Sequence, residues 1–254
     1  MTDGVELAAP AAPQEPKPNS FSRLAGVFFS PGETFASIVR RPDFVVPLVI
    51  IMLISLLSGV LIAEKVDFKL LIRDQIESSP NASRIPADMK EKQISIGAGF
   101  AKALTFFAPI TSVVGLVIFA AIFFAAFKIF GGEGDFLQAF SITAYAWMPN
   151  MIKAILTLIP VLTKKSLTMY TLQNPIASNL GYFIDPKAHP IEAAFLGSFD
   201  LFTIWTLILL IIGFAAMSRF SRAKSAVILL SLWAIKILFS VGMGALAVLR
   251  MKAQ

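Results

Sequence analysis

The chain contains no cysteine, which removes disulfides, thiolate metal sites and thiol nucleophiles together. Histidine is almost as scarce. The single copy, His189, lies between Ala188 and Pro190 with no ligand-type neighbours, so it reads as a surface-loop residue and not as a metal ligand. Charged residues make up only 15% of the chain, and the net charge of +6 is modest. Its Lys and Arg residues gather near the ends of apolar stretches, which suits anionic lipid headgroups and not nucleic acid. Walker loops, Gly-x-Ser-x-Gly elbows and His-Glu-x-x-His zinc motifs are missing. No cofactor is expected. Alternating ten-residue strands are missing too, which argues against a membrane β-barrel.

What remains is apolar. Hydrophobic residues account for 56% of the sequence, 23 of them Phe, and they collect into five runs at 44–63, 103–127, 137–162, 199–217 and 225–249. A hydrocarbon core of about 30 Å takes roughly 20 helical residues to cross, and helices satisfy their own backbone there. The fold class expected is therefore all-α, a polytopic bundle of five transmembrane helices. Little chain is left for a soluble domain, so residues 20–252 read as one membrane domain.

Ahead of the first run, residues 1–19 hold a Pro-rich stretch that reads as an extended, disordered cytoplasmic tail. Asp3 and Glu6 stand where a signal peptide has basic residues, so no cleavable signal is expected. Two short amphipathic pieces follow. Phe21, Leu24, Ala25 and Phe28 share one helical face, as do Phe35, Ile38 and Val39 in the second piece. Ser30-Pro31-Gly32-Glu33 spells a capping box, and Arg40, Arg41 and Pro42 end the second helix. Both helices are expected in the membrane interface. The segment 64–102 reads as a helical hairpin on the surface, broken at Ser78-Ser79-Pro80-Asn81. Asn81-Ala82-Ser83 is a glycosylation sequon by spelling alone. Asn174-Pro175 and Asp185-Pro186 mark turns in the third connection. Arg40, Arg41, Arg219, Arg222 and Lys224 fall on one side of a five-span chain, which makes that side cytoplasmic, with the N-terminus inside and the C-terminus outside. Lys164, Lys165, Arg250 and Lys252 weigh on the other side.

Gly132-Glu133-Gly134-Asp135 spells the Gly-x-Gly-Asp of intramembrane aspartyl proteases, but that chemistry needs a second carboxylate on a neighbouring span. Neither earlier run carries one. Asp135 with Gln138 makes a capping box for the third run, which accounts for the motif. Two intramembrane lysines are the more informative feature. Lys153 lies in the third run and Lys236 near the centre of the fifth. Pro149 lacks the N–H that would bond to the Tyr145 carbonyl, so the third run should kink there, and Tyr145 and Asn150 add polarity beside it. Charge inside a span usually faces protein or water. Lys153, Lys236, Tyr145, Pro149 and Asn150 are thus the candidate polar intramembrane site: either a hydrated cavity or anionic-headgroup site using the two lysines, or a structural arrangement in which the lysines snorkel or pair with a carboxylate such as Asp200. Ser55–Gly59 and Ser240–Gly244 carry small residues at helix-contact spacing, as within-bundle packing requires.

Three blocks together resemble the Yip1 domain family. They are residues 21–48, with a Ser-Pro-x-x-Thr-Phe core at Ser30 to Phe35; residues 131–149, a Gly-rich turn leading into an aromatic span that ends in Pro149; and residues 201–225, with Trp205, Gly213 and a basic turn. The resemblance implies a five-span helical bundle with a cytoplasmic N-terminus. Eukaryotic members act in vesicle trafficking and bind prenylated small GTPases and one another; GTPase binding is not carried over, since no residue here matches a defined motif for it. The bacterial style of the blocks implies the cytoplasmic (inner) membrane. The expected function is a non-enzymatic scaffold or adaptor in membrane organisation or trafficking. Its expected partners are the lipid bilayer and a membrane protein or a second copy of the chain. The alternative is a small transporter or lipid-handling protein that uses Lys153 and Lys236.

Overall fold

The computed structural model describes residues 19–77, 79, 82–163, 175–185 and 188–252. The tail through residue 18, Ser78, Pro80, Asn81, Lys164, Lys165, Asn174 and Pro186 lie outside the described residues, as do the side chains of Arg250 and Lys252. In chain order the α-helices are α1 (Ser20–Phe29), α2 (Pro31–Arg40), α3 (Val45–Lys65), α4 (Phe68–Glu77), α5 (Ala87–Phe106), α6 (Ala108–Ile129), α7 (Phe136–Ala146), α8 (Met148–Thr163), α9 (Pro190–Gly197), α10 (Leu201–Ser218) and α11 (Arg222–Lys252). Among the described residues there is no β-sheet, only one isolated bridge between Asn179 and Asp200.

Among the described residues, five helical segments are long and apolar enough to cross a membrane: α3, α6, the α7–α8 pair, α10 and α11. They are not equivalent. About 44% of the α10 window and 33% of the α7–α8 window is buried, against 17% for each of the others, so α10 and α7–α8 form the centre. α3, α6 and α11 turn most of their apolar surface outward, as helices facing lipid do.

Proline sets the breaks. Pro149 has no N–H for the Tyr145 carbonyl, and the third span divides at Trp147 into α7 and α8. The second span repeats this at Pro109, where the sequence reading had run one helix from residue 103. Instead residues 103–106 close α5, Phe107 is the joint, and α6 begins at Ala108. The Thr105 carbonyl, which Pro109 cannot serve, faces α3 at Gly59. A Cβ on Gly59 would lie 2.1 Å from that oxygen, so only glycine permits the approach. Ser55, one turn earlier, hydrogen-bonds Ser112 at 3.0 Å. The small-residue stripe on α3 is thus an internal seam, and Gly244 plays the same part for α11 against the Pro190 carbonyl of α9.

The hairpin expected between the first two spans is α4 packed on α5, with Arg73 and Glu91 paired at 3.3 Å on its exposed side. At the N-terminus the two amphipathic helices are present, and the bundle itself covers much of their apolar surface. Phe35 and Ile38 of α2 are fully buried among α7 and α10. The face of α1 is rotated from the one read in sequence: Phe21 is 67% exposed and Ala25 is exposed, while Arg23 and Val27 are buried. The cause is Arg23. Its guanidinium donates to the Ser37 hydroxyl (3.1 Å) and to the carbonyls of Ser37 (3.1 Å) and Arg41 (3.0 Å), which caps the end of α2 and lets a charged residue turn inward. Leu24 and Phe28 keep a share of the packing, with the Phe28 ring edge-on to Trp205 at 5.3 Å. The capping box read at Ser30 does not form. The Ser30 side chain makes no capping bond; its carbonyl accepts from the Thr34 N–H and hydroxyl, and Pro31 in the first turn has no N–H to satisfy.

Candidate polar site in the membrane bundle

The site residues named from sequence divide among three places. Lys153, one turn past the Pro149 break, reaches the N-terminus of α10. Its Nζ lies 2.8 Å from Oδ2 of Asp200, whose side chain is 5% exposed. Asp200 is the N-cap of α10. Its Oδ1 accepts from the amides of Phe202 (3.0 Å) and Thr203 (3.2 Å), and the Ser178 hydroxyl donates to Oδ2. The Leu201 amide donates to the Ser178 carbonyl at 2.9 Å, which holds that loop against the helix end. The carboxylate therefore accepts from an ammonium, a hydroxyl and two backbone amides, and it also sits at the positive end of the α10 dipole. A charge buried this way is compensated on every side. Asp200, raised from sequence as a structural partner for a lysine, is that partner for Lys153.

Asn150, one turn before Lys153, bridges α8 to α10 by donating to the Thr206 hydroxyl at 2.8 Å. Tyr145 belongs elsewhere. It is fully buried, and eight residues, about 12 Å of helix rise, separate it from Lys153. Its hydroxyl donates to Asp43 at 3.3 Å and lies 3.5 Å from the Ser20 carbonyl. Asp43 also accepts from the Ser20 hydroxyl and the Val45 amide and stands 4.0 Å from Arg23. Burial alone would raise the Asp43 pKa. The bonds from Ser20, Val45 and Tyr145 and the charge of Arg23 outweigh it, and the carboxyl lies below its ordinary value. This second cluster, centred on Arg23 and Asp43, escaped the sequence reading because a lone Arg on a short amphipathic helix looks solvent-facing. The only hint in the sequence was that Arg23 shares a helical face with Val27, four residues on.

Lys236 joins neither cluster. It is exposed on α11 and makes no ion pair among the described residues. It lines a cleft of about 570 Å³ between α6, α8, α10 and α11, together with Asn150, Thr206, Trp147 and Trp233. A smaller cavity of about 320 Å³ lies beside Ser58 and Ser112, where α3 meets α5, α6 and α8. His189 is 62% exposed and 3.6 Å from Glu192, a surface pair. Among the described residues no group of His, Asp and Glu is arranged to hold a metal. The Gly-x-Gly-Asp turn is structural: the Asp135 carboxylate accepts from the Gln138 amide (2.9 Å), Oε1 of Gln138 accepts from the Asp135 amide (3.0 Å), and Nε2 of Gln138 donates to the Val39 carbonyl (2.9 Å).

The Yip1 domain family model matches residues 25–244. The chain belongs to the Yip1 domain family. It is 24% identical over 246 residues to the membrane protein YknW of Bacillus subtilis (strain 168), a match that covers 96% of each chain. No solved structure matches it. In this Yip1 domain the three sequence blocks that carry the family likeness converge on one point. Phe35 from the first and Ile142 from the second meet over Gly213 of the third, where a Cβ would fall 2.4 Å from Ile142 and 3.0 Å from Phe35. The turns between these helices are tied as well. The Glu133 amide donates to the Ser218 carbonyl (3.3 Å), and its carboxylate pairs with Arg219 (2.8 Å). The family pattern thus describes how α2 is held by α7 and α10.

Proposed function

We propose that this Yip1-family membrane protein is a non-enzymatic scaffold or adaptor in the bacterial cytoplasmic membrane. Residues 20–252 form its five-span domain behind a Pro-rich tail, with the N-terminus cytoplasmic and the C-terminus outside. The observation that carries this reading is the Lys153–Asp200 pair. The charge expected to serve a transport path is tied to the cap of a neighbouring helix, and Asn150 and Tyr145 are likewise bonded across helices. Polar groups bonded in this way hold a bundle in one arrangement. The outward apolar faces of α3, α6 and α11 supply lateral surface for a membrane-protein partner or a second copy. The basic turn from Arg219 to Lys224 lies against the loop after α6, with the Lys224 ammonium 3.3 Å from the Phe130 carbonyl, and this basic end faces the cytoplasm. In-cell cross-linking, mild extraction and mass spectrometry test the reading. A reproducible, near-stoichiometric membrane-protein partner is the expected result. Recovery of the chain with lipid alone would sink the adaptor role and favour lipid handling or transport.

A further inference from the structure

Lys236 poses a problem that the rest of the bundle does not solve. Fourteen residues separate it from Arg222 at the start of α11, about 21 Å of helix rise in a core of about 30 Å, so it lies within the hydrocarbon region. Charged side chains at such depth pair with a counter-charge or reach water. Lys153 has Asp200; among the described residues Lys236 has no carboxylate. It faces instead a cleft walled by Phe119, Trp147, Trp233 and Phe239. Other donors line the same cleft. The Trp233 ring forms part of its wall, while its indole N–H is buried and unpartnered. Asn150 uses one side-chain N–H on Thr206, and the Thr206 hydroxyl, having accepted it, still has a proton to donate. A cation and a free hydroxyl proton in an otherwise apolar cleft are complementary to an anionic acceptor carried on hydrocarbon.

Size and depth narrow the occupant. A transmembrane helix about 30 Å long and 10–12 Å across displaces roughly 3,000 Å³. The cleft holds about 570 Å³, too little for a helix. From Leu229 to Phe239 along α11 it covers about 15 Å of rise, the length scale of one leaflet, and lies mostly in the half of the bundle where Asp200 begins α10. We propose that this cleft holds a resident anionic phospholipid, with one acyl chain along the aromatic walls and its phosphate paired with the snorkelling Lys236 ammonium. Lys153 takes no part, which separates the two lysines that sequence had grouped.

The test uses the full-length protein in nanodiscs containing phosphatidylglycerol and phosphatidylcholine of identical acyl chains, followed by native mass spectrometry of retained lipid. Wild type should retain phosphatidylglycerol preferentially. Lys236→Gln should lower that preference by about tenfold, and Lys236→Arg should keep it. Leu232→Trp, which narrows the cleft, should reduce retention of both lipids. Lys236 makes no bond to a described residue, so Lys236→Gln should melt at the wild-type temperature in lipid-free detergent, and a loss of lipid preference is then not a loss of fold. Wild type without a preference, or Lys236→Gln with the full preference, overturns the proposal. So does a photoreactive residue at Phe239 that cross-links to another protein or to a second copy instead of to lipid.

Discussion

Replacing Asp200 with Asn changes one charge and little of the shape around it. Asn caps helices about as well as Asp, so the bonds from the Phe202 and Thr203 amides can persist. What Asp200→Asn removes is the partner of Lys153, leaving an ammonium with 30% of its side-chain surface exposed beside an apolar bundle. Breaking a buried pair by neutralising one member destabilises by about 3–5 kcal/mol, and the residual exposure of Lys153 places the expectation near the low end, about 3 kcal/mol. For a chain of this size that corresponds to a fall in Tm of roughly 6–12 °C. The double variant Lys153→Met/Asp200→Asn removes both charges and should recover most of the loss, since an apolar replacement for a buried pair is often close to neutral. Thermal unfolding of wild type, Lys153→Met, Asp200→Asn and the double variant in one detergent gives the full cycle. Additive losses in the double variant, or an Asp200→Asn protein as stable as wild type, would refute the structural role assigned to the pair.

Gly213→Ala should destabilise by about 1–3 kcal/mol despite a gain in helix propensity, because its Cβ meets Ile142 and Phe35. Gly115→Ala on α6, with nothing within 4 Å of the added Cβ, should be neutral or stabilising, and equal Tm values for the two variants would contradict the convergence described. Asp43 has a folded-state pKa below its unfolded value, so its contribution is complete above about pH 4 and is lost as pH falls through the depressed value. Tm measured from pH 6 downward should fall more steeply for wild type than for Asp43→Asn, and parallel curves would remove the carboxylate from the α1–α7 tie. The absence of cysteine permits clean labelling of the proposed orientation. A cysteine at Glu133 should resist an impermeant maleimide in intact cells and one at Ala188 should react; the reverse pattern would invert the topology.

The spans were legible because hydropathy and length act on whole helices, and the Pro149 break because proline removes a donor whatever surrounds it. Pro109 obeys the same chemistry, yet its break was missed: the apolar run passes through it, and only the contact of Gly59 with the Thr105 carbonyl shows why the chain gains from parting there. Residues near each other in sequence were read together, which placed Tyr145 with Lys153. Packing sends the Tyr145 hydroxyl to Asp43, more than a hundred residues away in the chain. Arg23 was overlooked for a related reason. Its inward position depends on the exposed carbonyls at the end of α2, partners that local periodicity cannot supply. Lys153 and Lys236, grouped from sequence, sit in different surroundings for the same reason, since which side of a span faces protein is decided by neighbours.

In the role proposed, the Lys153–Asp200 pair is a structural tie that apolar side chains can replace, with no chemistry or transport of its own, and the protein acts through a membrane-protein partner. The most direct measurement compares the in-cell cross-linked partner set of wild type with that of the Lys153→Met/Asp200→Asn variant at matched expression. The same near-stoichiometric partner is expected for both. A variant that folds and inserts normally but loses the partner would contradict it.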